Sequence, residues 1–363
     1  MKRSRSGVRL PSGPATIKDV AGELGMSVAT VSRALSQPHL LRPDTRAKVL
    51  AIVEKLGYRP NLLARGLRRG ETRSILLVVP KLSLFFLEVF AGAEEAARAA
   101  GFAVLLGNSD GDPEREEAYF DQVSSGRADG IILLTGIAPS AYADGKRPLP
   151  PLVTLLERLQ GHDVPVVRVD HRPGAAAATR HLIELGHQRI AHITGTNKAA
   201  TTAHRIAGYK DALAAAGIEY AEELLQPGDF SMDSGAAAME RLLALENPPT
   251  AVFAANDEMA FGAMTAAHKH GLEVPQDLSV VGFDDQKTAA FYIPALTTVH
   301  IPRQDLGRRA AKELLDQFNG RESAHEIVLP TRLVVRESTA EPRAKRRLSQ
   351  RAAQSGAKVT YTR

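Results

Sequence analysis

The 363-residue chain is expected to fold as a small all-α N-terminal module joined to a two-lobed, doubly wound α/β body. Three observations carry that expectation. Helical apolar spacing fills residues 16–59. From Ser74 onward, β-rich apolar runs alternate with helical patterns over about 265 residues, as βαβ units around a parallel sheet do. The alternation weakens near 135–165 and 285–300, which predicts two similar lobes joined by more than one strand.

Residues 1–15 are basic, carry Pro11, Gly13 and Pro14, and lack periodicity, so a disordered arm is expected there. Ile17, Val20, Ala21 and Leu24 then follow helical spacing after Thr16, a residue suited to capping, and Gly25 ends that helix. Ser27 can cap a second helix, Val28–Leu35, with Val28, Val31, Ala34 and Leu35 apolar. Pro43 opens a third, to about Leu56, and Gly57 stops it. Residues 60–73 are too few for a domain and too apolar for a plain linker; their arginines lie between leucines.

In the body, strands are expected at Ile75–Val79, Phe102–Leu106, Ile131–Leu134, Val153–Leu156, Val166–Val169, Ile190–Ile193, Leu224–Gln226, Ala251–Ala254 and Leu278–Phe283. Helices are expected near 86–100, 113–125, 175–185, 203–216, 232–245, 258–270 and 304–319. A ligand of such a fold binds beyond the carboxyl ends of the strands, here in the cleft between lobes. After Ser338 the chain is a basic tail with one Leu and no heptads, expected to be disordered.

Composition narrows the function. The chain has no Cys, which excludes a disulfide scaffold, a thiol nucleophile and thiolate metal sites, and fits a reducing cytoplasm. Its apolar runs are too short to span a bilayer, and the basic N-terminus lacks the apolar core of a secretory signal. The formal net charge of +5 conceals an asymmetry. Residues 1–73 hold 15 Lys and Arg against 5 Asp and Glu, residues 74–338 hold 24 against 35, and residues 339–363 hold 7 against 1. An acidic body flanked by basic segments predicts a polyanion partner for the N-terminal module.

Residues 16–35 read as a helix–turn–helix. Gly25 supplies the tight turn, and the second helix presents Val28, Ala29, Ser32 and Arg33 near its N-terminal half, where a recognition helix meets base edges. Arg33 can donate twice to a guanine, Val28 and Ala29 can meet a thymine methyl, and Thr30, Ser32 and backbone N–H groups suit phosphate oxygens; Thr16 and Ser27, the two cap residues, are also expected at the DNA. A helical cap on the α/β body is the bland alternative.

Thr16-Ile17-Lys18-Asp19-Val20-Ala21, Ala29-Thr30-Val31-Ser32-Arg33-Ala34-Leu35, Gly57-Tyr58-Arg59-Pro60-Asn61 and Gly282-Phe283-Asp284-Asp285 resemble the LacI/GalR family of bacterial transcription regulators. The resemblance covers roughly residues 16–338. Glu71–Leu76, Leu149–Val153, Pro248–Phe253 and Leu306–Ala311 look most like its cytidine-repressor branch, whereas Ala255-Asn256-Asp257 reads as in sugar-responsive members. The resemblance implies a periplasmic-binding-protein-like body over 74–338, a homodimer on pseudopalindromic double-stranded operator DNA, and a hinge helix in 60–73. Asn61, Ala64, Arg65, Leu67 and Arg68 would meet DNA there, with Leu67 wedged into a minor-groove step. It also implies a sugar, polyol or nucleoside effector that releases a repressor of uptake or catabolic genes. Its contacts would be Phe85, Phe86, Glu157, Arg158, Arg205, Phe230, Asn256, Asp257 and Asp284. For these, core packing, helix capping or a salt bridge between lobes is the competing reading. Ile301 replaces a Gln common after Leu296-Thr297-Thr298, and Arg42 stands where a Ser or Thr usually caps the third helix.

No cofactor or metal is expected. The chain lacks a GxxxxGK[ST] loop, a strand-following GxGxxG, HExxH and GxSxG, so an enzyme of sugar or nucleotide chemistry is the weaker reading. A sugar-binding receptor shares the two-lobed body but not the basic helical module.

Overall fold

A computed structural model describes residues 15–36, 41–59, 71–196, 200–322 and 324–343. The expected basic arm before residue 15, the tail beyond residue 343 and most of the 60–73 segment lie outside the described residues. The chain divides into two compact units, residues 1–72 and 73–363.

The first unit contains helices α1 (Ile17–Leu24), α2 (Val28–Ser36) and α3 (Pro43–Leu56). Val20, Ala21, Val31, Ala34 and Val49 form its buried core, with Leu24, Val28, Leu35, Ile52, Val53 and Leu56 packed against them. Gly25 adopts φ 62°, a left-handed conformation that costs glycine little, so the chain leaves α1 and enters α2 within three residues. At the other end of α1, the Asp19 carboxylate accepts hydrogen bonds from the Thr16 N–H (2.8 Å) and hydroxyl (2.7 Å). Ser27 Oγ accepts from the Thr30 N–H at 3.1 Å and so caps α2. Arg42 occupies the cap position of α3 and makes no side-chain capping bond.

The second unit holds two six-stranded sheets. One contains β1 (Ser74–Val79), β2 (Ala103–Asn108), β3 (Gly130–Leu133), β4 (Leu152–Leu155), β5 (Val166–Val169) and, much later in the chain, β11 (Glu326–Leu329). Its order is β11-β5-β4-β3-β1-β2, parallel throughout. The other contains β6 (Ile190–Ile193), β7 (Leu225–Gln226), β8 (Ala251–Ala254), β9 (Ser279–Asp284), β10 (Thr297–His300) and β12 (Arg332–Val334). Its order is β12-β10-β9-β8-β6-β7, with only β12 antiparallel. Both lobes therefore repeat one winding, in which the first strand lies between the second and the third. That arrangement opens a crevice at the carboxyl ends of the first and third strands.

Helices cover the faces: α4 (Leu84–Ala99), α5 (Pro113–Ser124) and the short α6 (Ser140–Ala143) in the first lobe, and α7 (His171–Glu184), α8 (Ala200–Ala215), α9 (Met232–Leu243) and α10 (Asp257–Lys269) in the second. The last helix, α11 (Arg303–Phe318), returns to the first lobe and packs along α4. The chain thus passes between lobes at Asp170, at Ile301–Pro302 and at residues 330–331. This corrects the expected positions. Residues 135–165 stay within the first lobe as α6, β4 and the approach to β5, and residues 285–300 stay within the second as a short 3-10 turn and β10. The alternation weakened there because the connecting loops are long, not because the chain changes lobe. The sequence reading missed β10, β11 and β12; β10 carries two threonines among its four residues, and the other two are partly exposed strands at sheet edges.

The α4–α11 contact depends on small residues. A Cβ at Gly307 would collide with the carbonyl oxygen of Val89, and one at Gly92 with that of Gln304. Gly307→Ala is therefore expected to lower the unfolding free energy by about 1–3 kcal/mol, the usual cost of overpacking, read from the urea midpoint of the body's transition. Among the described residues, no helix is long and apolar enough to cross a membrane.

Candidate functional site

On the three-helix unit, Ala29 and Arg33 of α2 are exposed, while Val28, Thr30 and Ser32 are half-buried. Ala29 and Arg33 lie one helical turn apart and share a face, and Arg33 Nε approaches the Ala29 carbonyl at 3.4 Å. Val28, expected on the open face, packs partly against the core, because it lies three residues before Val31 on the buried stripe. Ser27 Oγ also lies 2.9 Å from the Thr30 hydroxyl, so these two groups support the cap as well as facing outward. Asn61, Ala64, Arg65, Leu67 and Arg68 lie outside the described residues.

In the body, the carboxyl ends of the second lobe's strands converge on Arg205 of α8 and Asp284 of β9. The two are buried, with Arg205 Nη2 and Asp284 Oδ1 3.7 Å apart. The Arg205 guanidinium also donates to the Ala255 carbonyl, approaches His171 Nδ1 at 3.4 Å, and lies 4.2 Å from the Phe283 ring centre and 5.8 Å from that of Phe230. Asp284 has φ 112° and Phe230 φ 69°, backbone conformations that non-glycine residues rarely adopt.

Several buried polar atoms here have no hydrogen-bond partner within the protein: Arg205 Nε, Asp284 Oδ1, His171 Nε2, Thr202 Oγ1 and Gln286 Nε2. A buried donor or acceptor without a partner costs about 1–3 kcal/mol, so a cluster of them calls for a polar occupant. Burial pushes the Asp284 carboxyl up to about 6, against the pull of Arg205 and Arg303. Burial and the nearby guanidinium of Arg205 hold His171 well below the usual imidazole range, so it is neutral.

The remaining expected contacts divide. Phe85 and Phe86 stand at the start of α4, half-buried and edge-to-face with ring centres 5.2 Å apart. Glu157, half-buried after β4, reaches the other lobe: its Oε1 lies 3.4 Å from the Thr201 N–H in the first turn of α8. Burial raises its pKa, against hydrogen bonds from the backbone of Thr201 and Ala200. Arg158, expected at the ligand, instead lies exposed and pairs with Glu326 of β11 at 2.5 Å. The strand ends at Leu155 and the chain turns at Leu156 (φ 70°), after which Glu157 reaches Thr201 of the second lobe and Arg158 reaches Glu326 of β11. Asn256 caps α10 through the Met259 N–H (2.9 Å) and donates to the Phe230 carbonyl (2.9 Å). Asp257, also expected at the ligand, accepts from the Thr298 hydroxyl (2.5 Å) and the Gln286 N–H (2.6 Å), which commits both oxygens to the fold. Burial and the neighbouring Asp284 raise its pKa well above the carboxylate range. No group of His, Asp and Glu among the described residues could hold a metal ion.

Residues 16–61 match the family of bacterial regulatory proteins called lacI, and residues 179–339 match a periplasmic binding protein-like domain. Over 328 residues the chain is 38% identical to the HTH-type transcriptional repressor CytR of Escherichia coli (strain K12), spanning 90% of this chain and 96% of that one. The chain belongs to the lacI family. Among solved structures, it resembles the lac repressor dimer bound to operator and the anti-inducer ONPF, at 30% identity and a TM-score of 0.82, over 90% of this chain and 100% of that one. It also resembles the complex of the transcriptional regulator CelR with cellobiose, at 33% identity and a TM-score of 0.68, over 89% and 99%. This lacI-family chain is a DNA-binding transcriptional regulator rather than an enzyme.

Sequence reasoning missed His171, Thr202, Gln286 and Arg303. His171 opens α7, whose helical pattern is legible only from Ala175, because Pro173 and Gly174 mask its first turn. Thr202 did carry a signal: it lies one helical turn before Arg205. The raised Asp284 pKa means that the folded protein holds that proton more tightly than the unfolded chain does. Its contribution therefore favours folding at acid pH and is lost as pH rises through about 6. The stability of Asp284→Asn relative to the native chain should climb by up to about 3 kcal/mol between about pH 4 and pH 7. Thermal unfolding of both proteins across that range measures it.

Proposed function

We propose that the chain is a cytoplasmic, homodimeric repressor released from a pseudopalindromic operator by a small sugar, polyol or nucleoside. The cluster of unpaired buried polar atoms around Arg205 and Asp284 carries this reading. A hydroxylated ligand both donates and accepts, and so could answer Arg205 Nε, Asp284 Oδ1 and Thr202 Oγ1 together. Phe230, Phe85 and Phe86 supply apolar plates for a ring. Glu157 lies at the rim and joins the two lobes. Asn256 and Asp257 act one step back, by holding Phe230 and the segment after Asp284.

The ligand binds the closed cleft better than the open one, and that difference is what shifts the DNA-competent state. Ala29 and Arg33 face the bases, Thr30 and Ser32 lie toward phosphates with the cap residues Thr16 and Ser27 beside the DNA, and the 60–73 segment enters the minor groove at Leu67. Dimerisation is supported by apolar surface at Leu84, Leu87 and Leu105 of the first lobe and at Phe291 and Ile293 of the second, the last two 85% and 92% exposed.

A thermal-shift panel of ribose, cellobiose, glycerol and cytidine tests the effector class. At least one compound is expected to raise the melting temperature of the native chain and not that of Asp284→Ala; a flat panel of neutral hydroxylated ligands counts against the reading. Arg33→Ala is expected to cost about 1–3 kcal/mol of operator binding and to relax one base position, as read by footprinting on randomised half-sites.

A further inference from the structure

Arg303 is the first residue of α11, directly after the crossing at Ile301–Pro302, and it is buried. Its guanidinium spans the two lobes. Toward the second, Nη1 donates to the Asp284 carbonyl and Nη2 to the Asp285 carbonyl at 2.9 Å. Toward the first, Nε and Nη2 reach the Glu88 carboxylate of α4 at 3.3 and 3.1 Å, and the group lies 6.0 Å from the Phe85 ring centre. Both carbonyls belong to residues with positive φ, 112° at Asp284 and 55° at Asp285, so this charge pins a backbone conformation that the residues themselves disfavour. Bidentate geometry of this kind is available to Arg and not to Lys.

We infer that Arg303 is a positioning residue that couples the Asp284 end of the second lobe to α4 of the first through one buried guanidinium. What changes at Asp284 is then felt at Glu88 and Phe85, and the reverse, without an effector having to bridge the cleft. The role in effector response rests on the reading that Asp284 contacts the ligand; the coupling itself does not.

Asp284 is faced by Arg205 from α8, Asp257 and Glu258 from α10, and Arg303 from α11, which carries the charge of Glu88 behind it; His171 from α7 stands against Arg205, and Asp285 is the next residue of the segment. The coupling therefore has signed consequences that need no ligand. Carbon-13 NMR of carboxyl-labelled aspartate in the full-length protein, with Asp284→Asn for assignment, reads the titration midpoint of Asp284. Arg303→Met removes a cation and should raise the midpoint by about one pH unit. Glu88→Gln removes an anion from the other lobe, keeps an acceptor for Arg303, and should lower it. General loosening of the fold would move both variants the same way. Opposite shifts support the coupling; shifts of one sign, or no shift in the milder Glu88→Gln, overturn it. Amide hydrogen exchange gives a second readout, with faster exchange expected at residues 284–286 and in the first turn of α4 in Arg303→Met. If the opposite shifts appear while every ligand in the thermal-shift panel fails, the effector reading falls and the coupling stands.

Discussion

The body is organised around one unfavourable arrangement, a guanidinium and a carboxylate buried face to face at 3.7 Å with atoms to spare on both. Removing two charges from water costs several kcal/mol each, and the mutual attraction repays that only when the other donors and acceptors are also satisfied. Here they are not. Arg205 Nε and Asp284 Oδ1 have no hydrogen-bond partner within the protein, and burial outweighs both neighbouring arginines in setting the Asp284 pKa near 6. The rest of the cleft follows from holding this pair in place. Two sheets of the same winding bring strand ends together, Asn256 and Asp257 fix the loops around it, and Phe283 and Phe230 flank the guanidinium. On the proposed reading, a hydroxylated ligand that satisfies this pair better in one arrangement of the lobes than in the other supplies the differential binding energy that a switch requires.

How much of this could be read in the sequence depended on whether the signal was local. The helix–turn–helix was legible because its determinants lie within a few residues: Gly25 for the turn, Ser27 for the cap, and Val31 and Ala34 for the buried stripe. Val28 was assigned to both faces, and the structure divides it in the same way. The alternation of strands and helices gave the lobes, since a strand buried on both faces must be nearly continuous apolar sequence. Edge strands escape that rule, so β11 and β12 were invisible. Asp284, named from the family motif Gly282-Phe283-Asp284-Asp285, closes β9 and is buried beside Arg205. Glu157 and Arg158 were named together from the family's acidic-Arg pair; the turn at Leu156 sends Glu157 to Thr201 and Arg158 to Glu326, and no local pattern announces that turn. His171 and Arg303 were missed for a topological reason. Each lies at or just after a point where the chain changes lobe, and the sequence put two of those points in the wrong segments.

The charge asymmetry gains meaning from the same architecture. The acidic excess of residues 74–338 lies in the body, and the N-terminal unit carries the cations. Long-range repulsion between an acidic sensor and a polyanion keeps DNA contact on the small unit, whose grip then weakens steeply with salt. Ion pairs within the body remove charges of both signs equally and leave that excess unchanged. Arg172 pairs with Asp211 at 2.6 Å and Arg336 with Asp285 at 2.6 Å, one cation for each anion, so the repulsive field of the body follows its net charge.

The positive φ values at Asp284 and Asp285 bear on why the site can act at a distance. A backbone held away from its preferred wells persists only when its surroundings over-determine it. Those surroundings come from three directions: Arg303 on the carbonyls, Asp257 on the next N–H, and Arg336 and His300 on the Asp285 carboxylate. Two of these hold the segment from within its own lobe, and one, Arg303, stands on a helix of the other. A change in the angle between lobes therefore alters the constraint on Asp284 from one side only. A close-packed interior does not absorb such a change gradually, because shifting one helix against another exchanges discrete packing arrangements. At the α4–α11 contact, where Gly92 and Gly307 let backbone meet backbone, there is little slack. Movement at the cleft must then pass into α4 as a whole, and α4 begins directly beyond β1, the strand by which the chain enters the body.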